Sequence, residues 1–474
     1  MSLYVNQHYL ACLSHASYVV GDTASGEAVV IDPQRDISLY LDDARDHGLT
    51  ITHVIETHFH ADFLSGHLEL AEACGARIVF GAAAAGRTDF PIDALRNGSI
   101  IRLGDGDDNV HLEILETPGH TPESISIVAR ETKASAPYAV FTGDTLFIGD
   151  VGRPDLLASV GHQADDLGRM LYSSLRDKLL ALPDSTLVYP AHGAGSACGK
   201  NLSTNTVSTI GEQRRFNYAL APMSVDDFVA VVTEGQTTAP LYFLHAATTN
   251  RQIREVFHED SPLAALSMEE VLLAMKNGAA VVDCRDDADF AIGHLRGSVN
   301  VGLGGRFAEY TGEVVVAGTP IVIVAESGRE REAFTRLARI GFDAVLGYLD
   351  DPVRQFLQNP TLVASASRLT ANEFDLRRAA ISDLQLVDIR NKGEVDAGTI
   401  TGAKHIDLPS LTRRIGELDR KKPTVVFCAG GYRSSIAAST LRSLGFADVS
   451  DILGGYNAWS SRNTESGTTS SPIR

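Results

Sequence analysis

The sequence predicts an α/β protein of several domains, strand-and-loop in its first half and built on parallel sheets in its second. Three observations carry that expectation. The chain has 474 residues, more than one hydrophobic core usually organises. Short β-branched runs alternate with polar loops and helical stretches along its length. The second half also contains one pattern twice, about a hundred residues apart, which is long enough for each copy to own a core.

In the first half, "EAVVIDP" and "ITHVIETH" are apolar runs that end in turn or polar residues, as strands feeding loops do. "HLEILETPGH", "SISIVAR", "YAVFTGD" and "STLVYPAH" follow the same plan, and most close on His or Asp. Polar residues at strand ends are where such a scaffold keeps its chemistry.

In the second half, "VVDCRDDADFAIGHLRGSVNV" resembles "LVDIRNKGEVDAGTITGAKHI", so that Asp283, Arg285, Gly293 and Gly297 fall on Asp388, Arg390, Gly398 and Gly402. "IVIVAESGREREAFTRLARIGF" then matches "VVFCAGGYRSSIAASTLRSLGF" in pattern. Strand, tight loop and amphipathic helix in alternation imply a parallel sheet covered on both faces. The expected domains are residues 1–250, 262–356 and 368–462, with a Ser/Thr-rich tail over 463–474.

The totals narrow the function classes. A formal charge of −19, with no basic run, argues against nucleic acid. No stretch approaches the roughly 18 apolar residues of a membrane span, and the start lacks the plan of a signal peptide. The five scattered cysteines suit free thiols in a reducing cytoplasm better than a disulfide framework. The expectation is a cytoplasmic protein, with oligomeric state left open.

"ETHFHADFLSGH" places His58, His60 and Asp62 close together. Imidazole and carboxylate suit zinc or another divalent first-row metal. An H-x-H pair alone is as easily two polar loop residues. His120 in "TPGHTPES", Asp144 in "FTGDTLF" and His192 in "YPAHGAG" also stand at strand ends, and their convergence predicts a metal site. Cys198, six residues beyond His192, reads either as a packing residue of its loop or as a thiol that relays sulfur or senses oxidation. Arg153 and Asp155 are expected to pin the loop beside Asp144.

"VVFCAGGYRSS" sets Cys428 between a buried strand and a helix. A lone buried cysteine is usually packing. Here Ala429, Gly430, Gly431 and Tyr432 form a short loop whose glycines let N–H groups turn inward as an anion nest at a helix N-terminus. Arg433 closes the ring. Such a setting stabilises a thiolate or persulfide anion. Four residues separate Cys428 from Arg433, one fewer than in a C-x5-R phosphatase loop, and the tighter ring fits sulfane sulfur better than phosphate.

"THFHAD", "TPGHT", "TGDTLF" and "PAHG", in this order, resemble the metallo-β-lactamase superfamily, which implies an αββα sandwich over the first half. Two-metal hydrolases of that superfamily read H-x-H-x-D-H in the first motif, whereas this chain has Phe63 at the last position, and a phenyl ring donates no lone pair. The resemblance thus implies one metal, held by His58, His120 and Asp144, with His60, Asp62 and His192 orienting ligands or serving a second metal. Two histidines and a carboxylate with open positions suit Fe(II) and O₂. One Fe(II) per chain is expected, with zinc able to fill the site in recombinant or aerobic samples.

The Cys428 loop, "VDIR" and "GGYNAW" resemble a rhodanese domain, with Cys428 and Arg433 catalytic. In the first copy Val324 aligns with Cys428, Arg329 remains, and Cys284 stands where the second copy has Ile389, so that copy is expected to be inactive. The three domains in this order resemble bacterial persulfide dioxygenase–rhodanese fusions. That implies oxidation of a low-molecular-weight persulfide by O₂ to sulfite, coupled to sulfur transfer giving thiosulfate. Two alternatives stay open: a zinc-dependent, glyoxalase II-like thioesterase fused to a sulfurtransferase, and a non-catalytic sulfur carrier.

Overall fold

A computed structural model describes residues 2–156 and 163–465, so the expected tail lies, from residue 466 onward, outside the described residues. The chain divides into two compact units, Met1–Ser261 with Ala338–Gly341, and Pro262–Leu337 with Phe342–Arg474.

The first unit holds two six-stranded sheets. One runs in the order Leu3–Leu10, His15–Asp22, Glu27–Ile31, Thr50–Ile55, Arg77–Gly81, Asp93–Leu95. The other runs Ser208–Thr209, Leu187–Pro190, Ala139–Gly143, Ile125–Arg130, Val110–Glu116, Ile100–Leu103. Their central strands are buried on both faces, and the two-residue side-chain period sorts each of these between two cores. Val29, Ile31 and Ile55 pack with Ile114, Ile127 and Phe141 between the sheets. Ala28 and Val30 point the other way, under Tyr40, Ala44 and Leu70 of the helices Ser38–Asp46 and His67–Cys74. On the far side Val128 and Val140 pack beneath Leu171, Leu175 and Phe228. The result is the αββα sandwich expected from the sequence. Strands Val110–Glu116, Ala139–Gly143 and Leu187–Pro190 run in one direction, so the loops after them meet at one edge.

The second unit holds two five-stranded parallel sheets with the same internal order. The first is Ala265–Leu266, Val345–Leu349, Ile321–Val324, Ala280–Asp283, Val299–Asn300. The second is Ser367–Leu369, Val449–Ile452, Thr424–Phe427, Gln385–Asp388, Lys404–His405. One fixture recurs unchanged: Arg285 grips Asp283 and the Gly293 carbonyl, as Arg390 grips Asp388 and the Gly398 carbonyl.

Strand register corrects one detail of the repeat. Asp283 pairs with Val324 as Asp388 pairs with Phe427. The position equivalent to Cys428 is therefore Ala325, and Val324 is an ordinary strand residue. Beyond the loop the helix ends match as Phe342 on Leu337 and Phe446 on Leu441. The first repeat is one residue shorter between these points, and aligning the helices alone hides the offset.

A buried charge cluster fastens the segment after the histidine motif. Glu69, in the first turn of the helix His67–Cys74, accepts bonds from Arg35 Nε at 2.9 Å, Arg254 Nη2 at 2.9 Å and the Phe257 N–H at 3.1 Å. Burial alone would raise its pKa, but Arg254 and Arg35 outweigh burial and hold it down at about 2. Its contribution to stability is present above the ordinary carboxylate value and is lost as pH falls toward 2. Glu69→Gln strands two buried guanidinium groups and should cost about 3–5 kcal/mol, read as a lower urea midpoint for the first unit at pH 7. The difference from wild type should shrink in acid.

Candidate functional site

His58 follows the strand Thr50–Ile55, and His120, Asp144 and His192 follow the three co-directed strands of the other sheet. The fold thus brings every residue of the expected metal constellation to one buried pocket. His120 Nε2 lies 3.4 Å from Asp144 Oδ2, His58 Nε2 3.8 Å from the same oxygen, and His192 Nε2 3.4 Å from Asp144 Oδ1. Donor atoms of His58, His120 and Asp144 fall within 4.8 Å of one another, as do those of His60, Asp62 and His192.

The outer nitrogen of each of these three imidazoles is already committed. His58 Nδ1 meets Thr57 Oγ1 at 2.9 Å, and that hydroxyl donates to Asp32 at 2.8 Å. His120 Nδ1 donates to the Arg153 carbonyl at 2.9 Å and His192 Nδ1 to that of Ser14 at 3.2 Å. With Nδ1 protonated, Nε2 presents its lone pair inward. Burial, reinforced by the neighbouring imidazoles, pushes the pKa of His58 well below the usual histidine range, so it stays neutral. A ligand must be neutral to bind a cation.

Both carboxylate oxygens of Asp144, His58 Nε2, His192 Nε2 and Asp62 Oδ1 are buried with no hydrogen-bond partner among the described residues. Buried polar groups are ordinarily paired. A convergent set of unpaired nitrogen and oxygen lone pairs is what a divalent metal satisfies, and the donor set fits one.

Gly143 and Gly152 make this close approach possible. Gly143 has φ +50°, and a Cβ there would lie 2.5 Å from Thr57 Oγ1; one at Gly152 would strike the Asp144 carbonyl. Arg153 binds Asp155 through Nε at 2.7 Å and Nη2 at 2.6 Å, and the Thr237 carbonyl at 2.8 Å, which pins the loop as expected.

Phe63 is fully buried, its ring 4.0 Å from that of His15 and 4.4 Å from that of His60. His60 turns Nε2 toward Asp32 at 3.0 Å and Glu56 at 3.4 Å. Burial works against a proton on His60, but the two carboxylates outweigh it and raise its pKa well above the usual value. Sequence reasoning missed His15, Asp32 and Glu56. Asp32 and Glu56 each stand at the end of a strand quoted above, and that position was the available signal; His15, at the start of its strand, offered none.

Cys198 is buried, and groups with Asp144 and His192 inside 4.8 Å. Burial, then the charges of Asp62 and Asp144, push its pKa far up, so it is a thiol. A protonated sulfur is a poor nucleophile.

In the second unit the Gly431 N–H points at Cys428 Sγ, 3.1 Å away, and Ser434 Oγ lies at 3.6 Å. Gly431, at φ +107°, is the left-handed residue of the loop. Gly430 takes no such conformation, and a Cβ there would meet nothing within 4 Å, so only one of the two glycines is required by the turn. The Arg433 guanidinium bonds both oxygens of Glu394 at 2.8 Å. The closing turn packs hard against the loop: Tyr456 N–H donates to the Cys428 carbonyl at 2.7 Å and Asn457 N–H to that of Ala429 at 3.1 Å. In the first repeat Arg329 is turned outward onto Glu332 at 2.8 Å, and Cys284, just past the strand Ala280–Asp283, is buried with its thiol donating to the Val324 carbonyl.

Comparison with known proteins agrees with this division. The Metallo-beta-lactamase superfamily profile matches residues 10–192, and the Rhodanese-like domain profile matches 267–356 and 370–462. The chain is 30% identical over 240 residues to the mitochondrial persulfide dioxygenase ETHE1 of Bos taurus, covering 49% of this chain and 82% of the relative. It is 31% identical over 251 residues to a hydroxyacylglutathione hydrolase of Cereibacter sphaeroides, covering 51% and 84%. A crystal structure of a metallo-beta-lactamase from Staphylococcus aureus subsp. aureus COL superimposes with TM-score 0.66 at 30% identity, over 73% of this chain and 99% of that one. That coverage runs well past the metal pocket's own domain. The chain belongs to the metallo-β-lactamase superfamily and carries two rhodanese-like domains behind its metallo-β-lactamase domain.

Proposed function

We propose that this protein is a non-haem iron persulfide dioxygenase coupled to a rhodanese. A low-molecular-weight persulfide is oxidised by O₂ to sulfite in the first domain, and Cys428 passes sulfane sulfur to sulfite, giving thiosulfate. The likeness to a persulfide dioxygenase over the first half supports the reading, and the single observation that carries it is the pairing of that pocket with an intact thiol loop in one chain. Domain limits at 1–250, 262–356 and 368–462 are part of the proposal, as is a cytoplasmic setting, which five unpaired cysteines favour.

His58, His120 and Asp144 would hold one iron. When bound, a metal in a two-histidine, one-carboxylate set supplies open positions for a sulfur ligand and O₂. The chain's own contributions are physical. Thr57, Arg153 and Ser14 fix the imidazoles as neutral donors, and buried walls exclude bulk water.

At Cys428 the thiolate attacks the outer sulfur of a persulfide. A new S–S bond forms, the donor's S–S bond breaks, and its electron pair leaves with the donor thiolate. The sulfite lone pair then attacks the outer sulfur of the cysteine persulfide, thiosulfate forms, and the thiolate returns. The inward Gly431 N–H favours the anionic sulfur in both states.

The second reading, a thioesterase, is favoured by the hydroxyacylglutathione hydrolase relatives and by the cluster of His60, Asp62 and His192. Phe63 and the engagement of His60 by Asp32 weigh against a second metal there.

Metal analysis of anaerobically purified protein should find about one iron per chain; two metals per chain would favour the hydrolase reading. Cys428→Ser should abolish thiosulfate formation while O₂ uptake with a persulfide continues and sulfite accumulates. An equal fall in both rates would argue against separate sites. Ala325→Cys combined with Cys428→Ser should fail to restore thiosulfate formation, because the first repeat's Arg329 faces Glu332 and away from the loop. Recovery to near wild-type turnover would show that only the cysteine was missing.

A further inference from the structure

The first repeat lacks the nucleophile, yet it touches the second repeat's loop. The contact is Tyr432, the residue after Gly431 and the first of the helix Tyr432–Ser443. Its hydroxyl donates to the Gly302 carbonyl at 2.7 Å, and its ring meets the ring of Tyr310 edge-on at 5.6 Å. Gly305 lies flat against that ring, where a Cβ would come within 2.6 Å of it. Together with Gly302, Gly305, Cys284 and Arg329, the ring lines a cavity of about 360 Å³ in the first repeat.

The segment that holds the ring is itself fixed. Buried Arg336 bonds the Leu303 carbonyl at 2.7 Å and the Gly305 carbonyl at 2.6 Å, and the Leu303 N–H bonds the Cys284 carbonyl at 3.0 Å. The two repeats also meet farther along the same helix. Ser439 Oγ accepts from the Asn300 N–H at 3.0 Å, and Ser435 Oγ bonds the Asn300 side chain at 3.2 Å. Arg368 bridges to Asp287 at 2.8 Å.

We infer that the first repeat is a positioning half of the thiol site: its segment Gly302–Gly305 clamps Tyr432 and thereby sets the Gly431 N–H against Cys428 Sγ. Tyr432 is the residue after Gly431, so a shift of its backbone is carried to the N–H that faces the sulfur. The clamp cannot yield, because Arg336 holds the carbonyls on either side of Gly304. Any group added at Gly305 must therefore displace Tyr432. This inference rests on the sulfur-transfer reading of Cys428 for its function, though not for its geometry.

The test compares Gly305→Ala, Tyr432→Phe and a matched control, Gly304→Ala, in the full-length protein. A Cβ at Gly304 meets nothing within 4 Å. Two rates are read: thiosulfate formation from sulfite and a persulfide, and alkylation of Cys428 by iodoacetamide at neutral pH, followed by peptide mass spectrometry. Gly305→Ala should slow both roughly tenfold or more, in parallel. Tyr432→Phe, which keeps the ring and loses the bond to Gly302, should slow both less. Thermal transitions and O₂ uptake should match wild type. If Gly305→Ala and Tyr432→Phe match Gly304→Ala in both rates, the first repeat is only a neighbour and the inference is overturned. If wild type forms no thiosulfate but Gly305→Ala still slows alkylation, the clamp stands and the sulfur-transfer reading is what fails.

Discussion

One buried carboxylate organises the first half of this protein. Asp144 is removed from water with neither oxygen hydrogen-bonded among the described residues, and three imidazole nitrogens face it. An isolated buried carboxylate costs several kcal/mol, a cost that a cation held there would offset. The constraint reaches outward. Asp144 follows a strand covered on both faces, Gly152 must be glycine to lie on its carbonyl, and the Arg153 loop that orients His120 is anchored by Asp155 and Thr237. Thr57 joins His58 to Asp32 on the neighbouring sheet. The pocket therefore depends on both sheets at once.

The second half solves a different problem with different means. At Cys428 a backbone N–H and a left-handed glycine are aimed at one sulfur. Such a site is sensitive to small backbone displacements, which is why the neighbouring repeat can matter without supplying a reacting group. The retained Asp283–Arg285 fixture shows that the first repeat kept its scaffold while an alanine, Ala325, stands where the second has Cys428. Keeping the fold and losing the thiol is what a positioning role would require.

Much of this was legible in the sequence because strand ends and short loops carry local signatures. The histidines and Asp144 fell at strand termini, and the repeat announced two parallel sheets. What stayed hidden depended on pairing across the fold. Matching the helices set Val324 against Cys428, whereas the ladder with Asp283 sets Ala325 there. Gly430 and Gly431 look equivalent in a string of letters, yet only Gly431 takes the left-handed conformation. His15 lies far from the metal motif along the chain, and only the sandwich brings it to His60 and Phe63. Cys198 was placed near the right loop, but its burial and the neighbouring carboxylates, which keep it protonated, are three-dimensional facts.

The central claim is that the first domain performs an O₂-dependent oxidation of a persulfide. The most direct measurement follows dissolved O₂ and sulfite together when iron-loaded Cys428→Ser protein is given a low-molecular-weight persulfide, with an S-acyl thioester tested in parallel. The balanced reaction, persulfide plus O₂ plus water giving thiol and sulfite, predicts one O₂ consumed for each sulfite formed, and no turnover of the thioester. Thioester hydrolysis without O₂ uptake, and no sulfite from the persulfide, would contradict the account and make the first domain a hydrolase.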